Sequence, residues 1–482
     1  MATPSPTANS QHPASNIQHP AVRFRISHFE IRISYAWLLA LVFLITIPLL
    51  TPRVAASDEI EYFSYLHSLV FDHDLNFLDE YQHFCQIDPQ ECIASRFQET
   101  FIDKHTATGL QINFGPMGSA LLWLPFYLLA HPVALALHAI NPAIAADGYS
   151  APYIDAISFA SLLYGWLGLL LAFRLAREFV EEKIAFGATL AVLFATNAVY
   201  YLYVAPAMSH AGSLFASALF VYVWYRSRAA RSAGRWQAWA LLGACGALMT
   251  MVREQEAIFV LIPLIESAIH LSPSRVRVQF LGLATMGLTW LIVFVPQLIV
   301  YKILNGDFLP ARDVTQKFTW DGAHIVDVLF SNLHGLFSWT PLTLLAVAGL
   351  FLLWRRDRAI ALAFILTFAA EVYLLGSFST WFGGAAYGMR RFVNCTILFV
   401  VGLALLADAL KTRVPFKVQI ALAGLVVWWN LFFIVQFATG MISRDKPVDF
   451  AVLAYNQLFV VPQRLAGIIW RFITARGTFM KK

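Results

Sequence analysis

Long apolar runs that contain at most one charged residue each alternate with charged, polar connections along most of the chain. The first run, 33–52, has the length of a helix that crosses a bilayer, which needs about 20 apolar residues. Later runs of this kind lie at 115–138, 153–173, 184–225, 236–252, 257–270, 278–301, 336–354, 359–376, 393–410 and 418–437. The run 184–225 is long enough for two spans with a turn near 205–210. The pattern predicts an all-α polytopic membrane protein with about 11–12 transmembrane helices.

Composition supports this class. Hydrophobic residues make up 59% of the 482 residues, charged residues make up 13%, and the mean hydropathy is +0.63. Soluble domains contain roughly 25% charged residues. The formal net charge of +5 is small and spread over the loops, so it bears on membrane topology and gives no reason to expect a nucleic-acid partner.

The distribution of arginine and lysine predicts the topology. Arg23, Arg25 and Arg32 precede the first apolar run, so the N-terminus is expected in the cytoplasm. Basic clusters in later connections, expected on the same side, lie at 174–183, 226–235, 275–277, 355–358 and 411–417. Two ordinary spans between 115 and 183 would put the first of these clusters outside. One segment there is therefore expected to be short, broken at proline or re-entrant.

These assignments divide the chain into three parts. The expected parts are a disordered cytoplasmic leader at 1–32, a transmembrane domain at 33–438 and an interfacial C-terminal tail at 439–482. Within the transmembrane domain, loops at 53–113 and 302–335 are expected to face outward.

The outer loop 53–113 is strongly acidic, with eleven of the 29 acidic residues of the chain. Ser57 is predicted to cap a helix whose first turn holds Asp58 and Glu59, where negative charge is favourable against the helix dipole. Apolar residues follow at helical spacing, at Ile60, Phe63, Leu66 and Val70. We expect an amphipathic helix that lies along the membrane surface. Cys85 and Cys92 in the same loop are candidates for a disulfide, the alternative being two free thiols.

The adjacent acids Asp58 and Glu59 are the strongest chemical signal because carboxylates this close to a membrane span are costly unless they are used. Such a carboxylate can deprotonate an acceptor hydroxyl or bind a divalent cation beside a phosphate leaving group. A solvated helix N-terminus explains them equally well. The D-x-D spacing of Asp72 and Asp74 is a weak metal signal, and a capped turn explains it better, although Asp74 remains a candidate to line the cavity.

Cationic candidates for binding a lipid phosphate lie far from these acids in the chain. They are Arg253 at the end of an apolar run, Lys302, Arg312 and Lys317 in an outer loop, and Arg390 and Arg391 after a glycine-containing stretch. Arginine binds phosphate bidentately, although the two adjacent arginines equally suit anchoring to lipid headgroups. Further substrate contacts are proposed for His210 and Tyr387, the alternatives being a polar residue that lines the bundle and an aromatic residue at the membrane interface.

Taken in chain order, these features resemble the GT-C membrane glycosyltransferases, such as protein O-mannosyltransferases and the lipid A aminoarabinose transferase. The acidic pair Asp58-Glu59 occupies the place of the acids that open the first outer loop of that group. Further similar stretches are Asn113-Phe114-Gly115-Pro116-Met117-Gly118, Leu124-Pro125-Phe126-Tyr127, Phe337-Ser338-Trp339-Thr340-Pro341 and Tyr387-Gly388-Met389-Arg390-Arg391-Phe392. The resemblance covers roughly residues 34–410.

The resemblance implies a polyprenyl-phosphate-linked sugar donor, attack by an acceptor hydroxyl from the outer face, and inversion at the anomeric carbon. It implies that Asp58 is the general base, that Glu59 helps to position the acceptor or a metal, and that Arg390 holds the donor phosphate. A divalent cation at Asp58 and Glu59 is left open, as is an acceptor of lipid, glycan or protein. The implied location is the bacterial inner membrane with an outward active site.

Two other functions fit part of the pattern. A transporter or flippase for a lipid-linked sugar also needs a polar cavity and cations for phosphate, but it does not need a long acidic loop after the first span. A membrane scaffold explains the hydropathy but not the separate clusters of acid and arginine. The transferase requires Asp58 and Arg390 on opposite walls of one outward cavity.

Overall fold

A computed structural model describes residues 22–26 and 29–475. Within these residues the chain is helical apart from one antiparallel hairpin, formed by β1 (Val22–Ile26) and β2 (Phe29–Ile33). The hairpin lies in the stretch predicted as a disordered leader, and the other leader residues fall outside the described ones. The predicted all-α polytopic class is confirmed for the remainder of the described chain.

The helices follow one another with short connections. In chain order they are α1 (Tyr35–Thr46), α2 (Ser57–His67), α3 (Leu78–Ile87), α4 (Pro89–Ala94), α5 (Gly118–Ile140), α6 (Ala151–Ala176), α7 (Glu182–Phe194), α8 (Ala198–Tyr203), α9 (His210–Arg226), α10 (Arg228–Ser232), α11 (Trp236–Val252), α12 (Leu261–Ile269), α13 (Val276–Asn305), α14 (Arg312–Thr315), α15 (Ile325–Phe330), α16 (Leu336–Trp339), α17 (Leu342–Leu350), α18 (Arg358–Gly376), α19 (Thr396–Leu410), α20 (Phe416–Ala438), α21 (Phe450–Tyr455) and α22 (Val461–Thr474).

Six helical segments among the described residues are long and apolar enough to cross a membrane, namely α5, α6, α13, α18, Arg390–Leu410 and α20. Three shorter apolar segments cover Tyr35–Leu49, Trp236–Val252 and Leu342–Arg355. The sequence predicts about 11–12 spans because hydropathy counts apolar residues and does not detect where a helix ends. The run 184–225, for example, is divided among α7, α8 and α9.

Several basic connections lie together at one end of the bundle. Ion pairs join different connections there, namely Arg226–Glu178 (3.2 Å), Arg228–Asp357 (3.0 Å), Arg356–Asp408 (3.1 Å) and Lys411–Glu181 (3.0 Å). The neighbouring helices α9 and α11 each span 17 residues, or about 25 Å, between this end and the opposite one. At that opposite end, Ser209 precedes α9 and Arg253 follows α11.

Between 115 and 183, where two ordinary spans would put the basic cluster 174–183 on the wrong side, the structure shows how the helices are arranged. Helices α5 and α6 are both continuous, although α5 contains Pro125 and Pro132. They pack against each other, and Trp123 Nε1 donates a hydrogen bond to Ser161 Oγ at 2.7 Å. Trp123 lies in the second turn of α5, whereas Ser161 lies near the middle of α6. Helix α5 therefore begins beside the middle of α6 and is not broken at proline.

The outer loop 53–113 folds as a helical unit that shares an apolar core with α5 and α6. Helix α2 is present as predicted, but residues 59–67 are all buried, so it does not expose one polar face as the predicted amphipathic helix would. Tyr62 packs edge-on against Trp123, and the Tyr65 hydroxyl donates to the Gly115 carbonyl at 2.9 Å. Apolar spacing identified one face of this helix, but it did not show that aromatic residues bury the other face as well.

Cys85 and Cys92 form a disulfide that joins α3 to α4 within the outer loop. The other two cysteines, Cys245 and Cys395, are free and buried. A disulfide closing so short a segment restricts the local chain and suits an oxidising compartment.

Candidate active site

Glu59 fixes the beginning of α2. Its Oε2 atom accepts hydrogen bonds from the backbone N–H groups of Ala55 (2.8 Å) and Ala56 (2.9 Å), and Arg53 lies 3.8 Å from its Oε1 atom. The N-cap is Ala56, one residue before the predicted cap at Ser57. Because the Glu59 carboxylate is fully buried and used in these contacts, it holds the helix start that presents Asp58.

Asp58 forms an ion pair with Arg390. The Arg390 Nη2 atom lies 3.0 Å from Asp58 Oδ2, with 35% of the Asp58 side chain and 16% of the Arg390 side chain exposed. The other terminal nitrogen of Arg390, Nη1, lies 3.0 Å from the Met208 sulfur. The fold thus brings the acid and the arginine together, but in direct contact and not on opposite walls of one cavity, so the expected mechanism has to be revised to begin with the separation of this pair.

A glycine-rich loop delivers Arg390 to this position. Gly383, Gly384 and Gly388 have φ angles of 77°, 73° and 62°, which are left-handed conformations that favour glycine. A 3-10 helix, Arg390–Cys395, then begins and packs against α9. The glycines therefore allow the chain to turn sharply before the two adjacent arginines.

Four cations surround the single Asp58 carboxylate. Burial by itself raises the pKa of Asp58, but the positive charges of Arg390, Arg253, Arg391 and Lys317 together hold that pKa below its ordinary value of 3.8. Asp58 is therefore ionised at neutral pH. A bound anion can interact favourably with the same cations.

Three of these cations are held by contacts of their own, so they are not free surface charges. Arg253 Nη1 donates to Ser209 Oγ at 2.7 Å, Arg391 Nη1 donates to the Thr380 carbonyl at 3.1 Å, and the Lys317 ammonium lies 4.9 Å from the Phe114 ring centroid. Of the predicted outer-loop cations, Lys317 belongs to this group, whereas Lys302, the one chosen as a substrate-binding residue, does not. These contacts orient the positive charges before any ligand binds.

The stretch 113–118 holds α2 in place. Glu61 Oε2 accepts from the backbone N–H groups of Phe114 (2.5 Å) and Gly115 (3.1 Å). A Cβ atom on Gly115 would lie 2.6 Å from the Tyr62 ring, and one on Gly118 would lie 2.3 Å from the Met251 carbonyl carbon, so both positions require glycine. This stretch is one of those that carried the family resemblance, and here it supports the helix of Asp58.

Glu61 is buried below Asp58 and is mainly protonated at pH 7. Burial, assisted by the negative charge of Asp58, raises the pKa of Glu61 from 4.5 to about 8, against the two backbone hydrogen bonds that lower it. The low-dielectric surroundings disfavour a second carboxylate next to Asp58. Asp58 is therefore the ionised acid of this pair.

A chain of hydroxyl groups links α2 to Arg253. Ser209 Oγ donates to the Tyr62 hydroxyl at 3.1 Å and accepts from Arg253. His210, the next residue, is buried with its ring 4.4 Å from that of Tyr201, and neither ring nitrogen has a hydrogen-bond partner among the described residues. His210 lies within electrostatic range of Arg253 and Arg390, so the structure places this predicted residue near the cations.

Three predicted residues make other contacts. Lys302 is exposed and donates to the Gly306 carbonyl at the end of α13. Asp74 is exposed and accepts from Ser68 Oγ and from the Asn76 backbone in a turn. The Tyr387 side chain is fully buried, and its hydroxyl donates to Asn430, so it supports the glycine loop from inside.

Two buried glutamates near the arginines were not among the predicted site residues. Glu256 accepts a short hydrogen bond from Ser213, and Glu371 accepts from Asn394 Nδ2 at 2.9 Å. The second oxygen of each carboxyl group has no partner within the described part of the chain. A single acid in an otherwise apolar helix, as Glu371 is in α18, was the available sequence signal.

Residues 151–300 match the dolichyl-phosphate-mannose-protein mannosyltransferase family. This family belongs to the GT-C superfamily, so the match confirms the resemblance to that superfamily, although the stretches that carried the resemblance lie outside the matched residues. The matched segment contains Ser209, His210 and Arg253, whereas Asp58 and Arg390 lie outside it. No curated protein matches the chain. The chain is an integral multi-pass membrane protein, and the match supports a membrane glycosyltransferase of the GT-C type.

The structure bears on where a metal ion could bind. Asp58 and Glu59, the pair considered for a divalent cation, point their carboxylates to different partners, Arg390 and the start of α2. Among the described residues, one group of side chains has the composition and spacing of metal ligands, namely His67, Asp72 and Glu80. This group lies at the other end of α2.

Proposed function

We propose that this protein transfers a sugar from a polyprenyl-phosphate donor to an acceptor hydroxyl on the outer face of the bacterial inner membrane. The observation that carries the proposal is the Asp58–Arg390 ion pair, with Arg253, Arg391 and Lys317 within electrostatic range of the same carboxylate. A donor phosphate supplies the negative charge that the four cations favour. The family match supports the reaction class, and dolichyl-phosphate mannose, named by that family, is the first donor to test.

Binding of the donor would free Asp58 from Arg390, so that Asp58 can act as the general base. When the phosphate takes the place of the Asp58 carboxylate on Arg390, Asp58 loses its strongest positive partner, and its affinity for a proton rises. Asp58 then accepts the proton of the acceptor hydroxyl while that oxygen bonds to the anomeric carbon. The bond from this carbon to the phosphate oxygen breaks, and the cations stabilise the departing polyprenyl phosphate. Attack opposite the leaving group inverts the anomeric carbon.

The outward orientation rests on the positive-inside rule. Helices α9 and α11 have basic connections at one end, and Ser209 and Arg253 at the other. Connections rich in arginine and lysine remain in the cytoplasm. The cations at the opposite end therefore face the outer side, where a lipid-linked donor reaches the site from the bilayer.

Sugar transfer by protein reconstituted in vesicles tests the function. Release of polyprenyl phosphate from the donor is measured with lipid, glycan and peptide acceptors, and the linkage of the product gives the stereochemistry. We expect Asp58→Asn to lower turnover by at least about 100-fold, with at most the small change in thermal unfolding that loss of a partly exposed ion pair causes. Glu91→Gln, which alters an exposed acid of the same loop, is the matched control. Turnover retained in Asp58→Asn would contradict the general base, and donor translocation without transfer would favour a transporter.

A further inference from the structure

A second polar cluster lies where α2 ends, away from the proposed transfer site. His67, the last residue of α2, has its Nδ1 atom 2.9 Å from Asp72 Oδ2, 3.0 Å from Glu80 Oε1 and 3.2 Å from the Tyr149 hydroxyl. One ligand atom from each of His67, Asp72 and Glu80 lies within 4.8 Å of the others. Three oxygen atoms thus converge on one ring nitrogen.

The hydrogen bond of His67 Nε2 determines whether Nδ1 carries a proton in the neutral ring. His67 Nε2 lies 3.1 Å from the Asp147 carbonyl, which can only accept, so Nε2 carries a proton. In the neutral ring, Nδ1 then has a lone pair that points toward two carboxylates. A histidine that ligates a metal typically donates its other N–H to a backbone carbonyl in this way. The cluster requires a positive charge at Nδ1, which either a proton or a metal ion supplies.

The surroundings of Glu80 favour the metal ion. Its side chain is fully buried, and its Oε2 atom has no hydrogen-bond partner among the described residues. A single proton on Nδ1 cannot satisfy Asp72 Oδ2, Glu80 Oε1 and this second Glu80 oxygen together. A buried carboxylate oxygen without a partner is costly, whereas a metal ion accepts either one or both oxygens of a carboxylate.

We propose that His67, Asp72 and Glu80 bind one divalent transition-metal ion, of which zinc and manganese are the closest chemical fits. One imidazole and two carboxylates match the ligand types of both ions, with ligand distances of about 2.0–2.2 Å for zinc. The proposal does not depend on the reaction at Asp58. His67 lies nine positions after Asp58, about 14 Å along α2, so the ion does not contact the Asp58–Arg390 pair.

The position of the cluster assigns the ion a structural role. It would join the end of α2, the turn at 68–72 and α3. The loop 141–150 would also be held, because the Tyr149 ring stacks on that of His67 at 4.0 Å. Metal binding therefore would fix the far end of the helix whose near end carries Asp58.

The test measures metal content and thermal unfolding of the full-length protein. After growth and purification without chelators, with Zn²⁺ or Mn²⁺ supplied and excess ion removed, elemental analysis should find about one ion per chain. EDTA should lower the unfolding temperature, and readdition of the same ion should restore it. Both Asp72→Asn, at a partly exposed position, and Glu80→Gln should lose the ion, whereas Asp79→Asn, at a neighbouring exposed acid, should retain it.

Two results would overturn the proposal. The first is wild-type protein without stoichiometric metal whose unfolding temperature is the same with and without EDTA, which would identify a protonated His67 between two carboxylates. The second is unchanged metal content in Asp72→Asn, which would place the ion elsewhere. Since Asp72→Asn removes a partly exposed ligand, its fold is expected to survive if Glu80→Gln fails to fold.

Discussion

Asp58 and Arg390, which come from opposite ends of the transmembrane domain, form an ion pair at 3.0 Å. The start of α2, which Glu59 caps, positions Asp58. The glycine loop that precedes Arg390 positions this arginine. The pair has two consequences. The ion pair keeps Asp58 ionised and lowers its affinity for a proton. Arg390 already binds a carboxylate at the position proposed for the donor phosphate.

Removing Arg390 should weaken donor binding. A hydrogen-bonded charge contact is worth about 1.5–3 kcal/mol, so Arg390→Ala should raise the dissociation constant for a polyprenyl phosphate by about 10- to 100-fold. Titration of the purified protein with the lipid, followed by intrinsic fluorescence, gives this constant. Arg312→Ala, at an exposed position of an outer loop, is the control. Equal affinity in wild type and Arg390→Ala would make Arg390 only a structural partner of Asp58.

Removing the charge of Asp58 should have the opposite effect on binding. In Asp58→Asn the donor phosphate no longer competes with a carboxylate for Arg390, so affinity should rise even though transfer is lost. A partly exposed ion pair is worth up to about 1 kcal/mol, which corresponds to roughly fivefold tighter binding. The same titration measures it. Weaker binding in this variant would show that Asp58 helps to hold the donor and does not compete with it.

Glu61 should make stability fall as pH rises. Because burial raises its pKa from 4.5 to about 8 in the folded protein, the folded state binds more protons than the unfolded state between these values. Its stabilising contribution is complete below pH 4.5 and is lost as pH rises through about 8. The wild-type unfolding temperature should therefore fall between pH 5 and 8, and part of that fall should be absent in Glu61→Gln. Glu99→Gln, which alters an exposed side chain, should keep the wild-type dependence.

Gly118 should not tolerate a side chain. A Cβ atom there would lie 2.3 Å from the Met251 carbonyl carbon, so α5 and the end of α11 would have to separate. We expect Gly118→Ala to destabilise the protein by about 1–3 kcal/mol and to lower turnover, since Arg253 follows α11 directly. Gly187→Ala, in α7 with no atom within 4 Å of the new Cβ, should be neutral or stabilising. An unchanged unfolding temperature in Gly118→Ala would refute this close approach.

The sequence by itself determined the properties that follow from local composition and spacing. Apolar runs identified the membrane class, and the acidic residues after the first run identified the helix that begins at Ser57, within one residue of its cap. The arginine pair after the glycine stretch was also evident. The two cysteines of the outer loop, Cys85 and Cys92, lie seven positions apart and were recognised as disulfide candidates, and the structure joins them. These features depend on neighbours in the chain.

Tertiary structure alone decided which distant groups meet. Hydropathy and spacing gave no means of choosing Lys317 over Lys302 as a neighbour of Asp58, because both lysines follow the same apolar run, 278–301. They also did not show that Glu59 caps a helix, that α2 is buried on both faces, or that α5 begins beside the middle of α6. Charge, burial and hydrogen bonding act over a few ångströms in space, and the folded chain brings groups within that range irrespective of their separation in sequence.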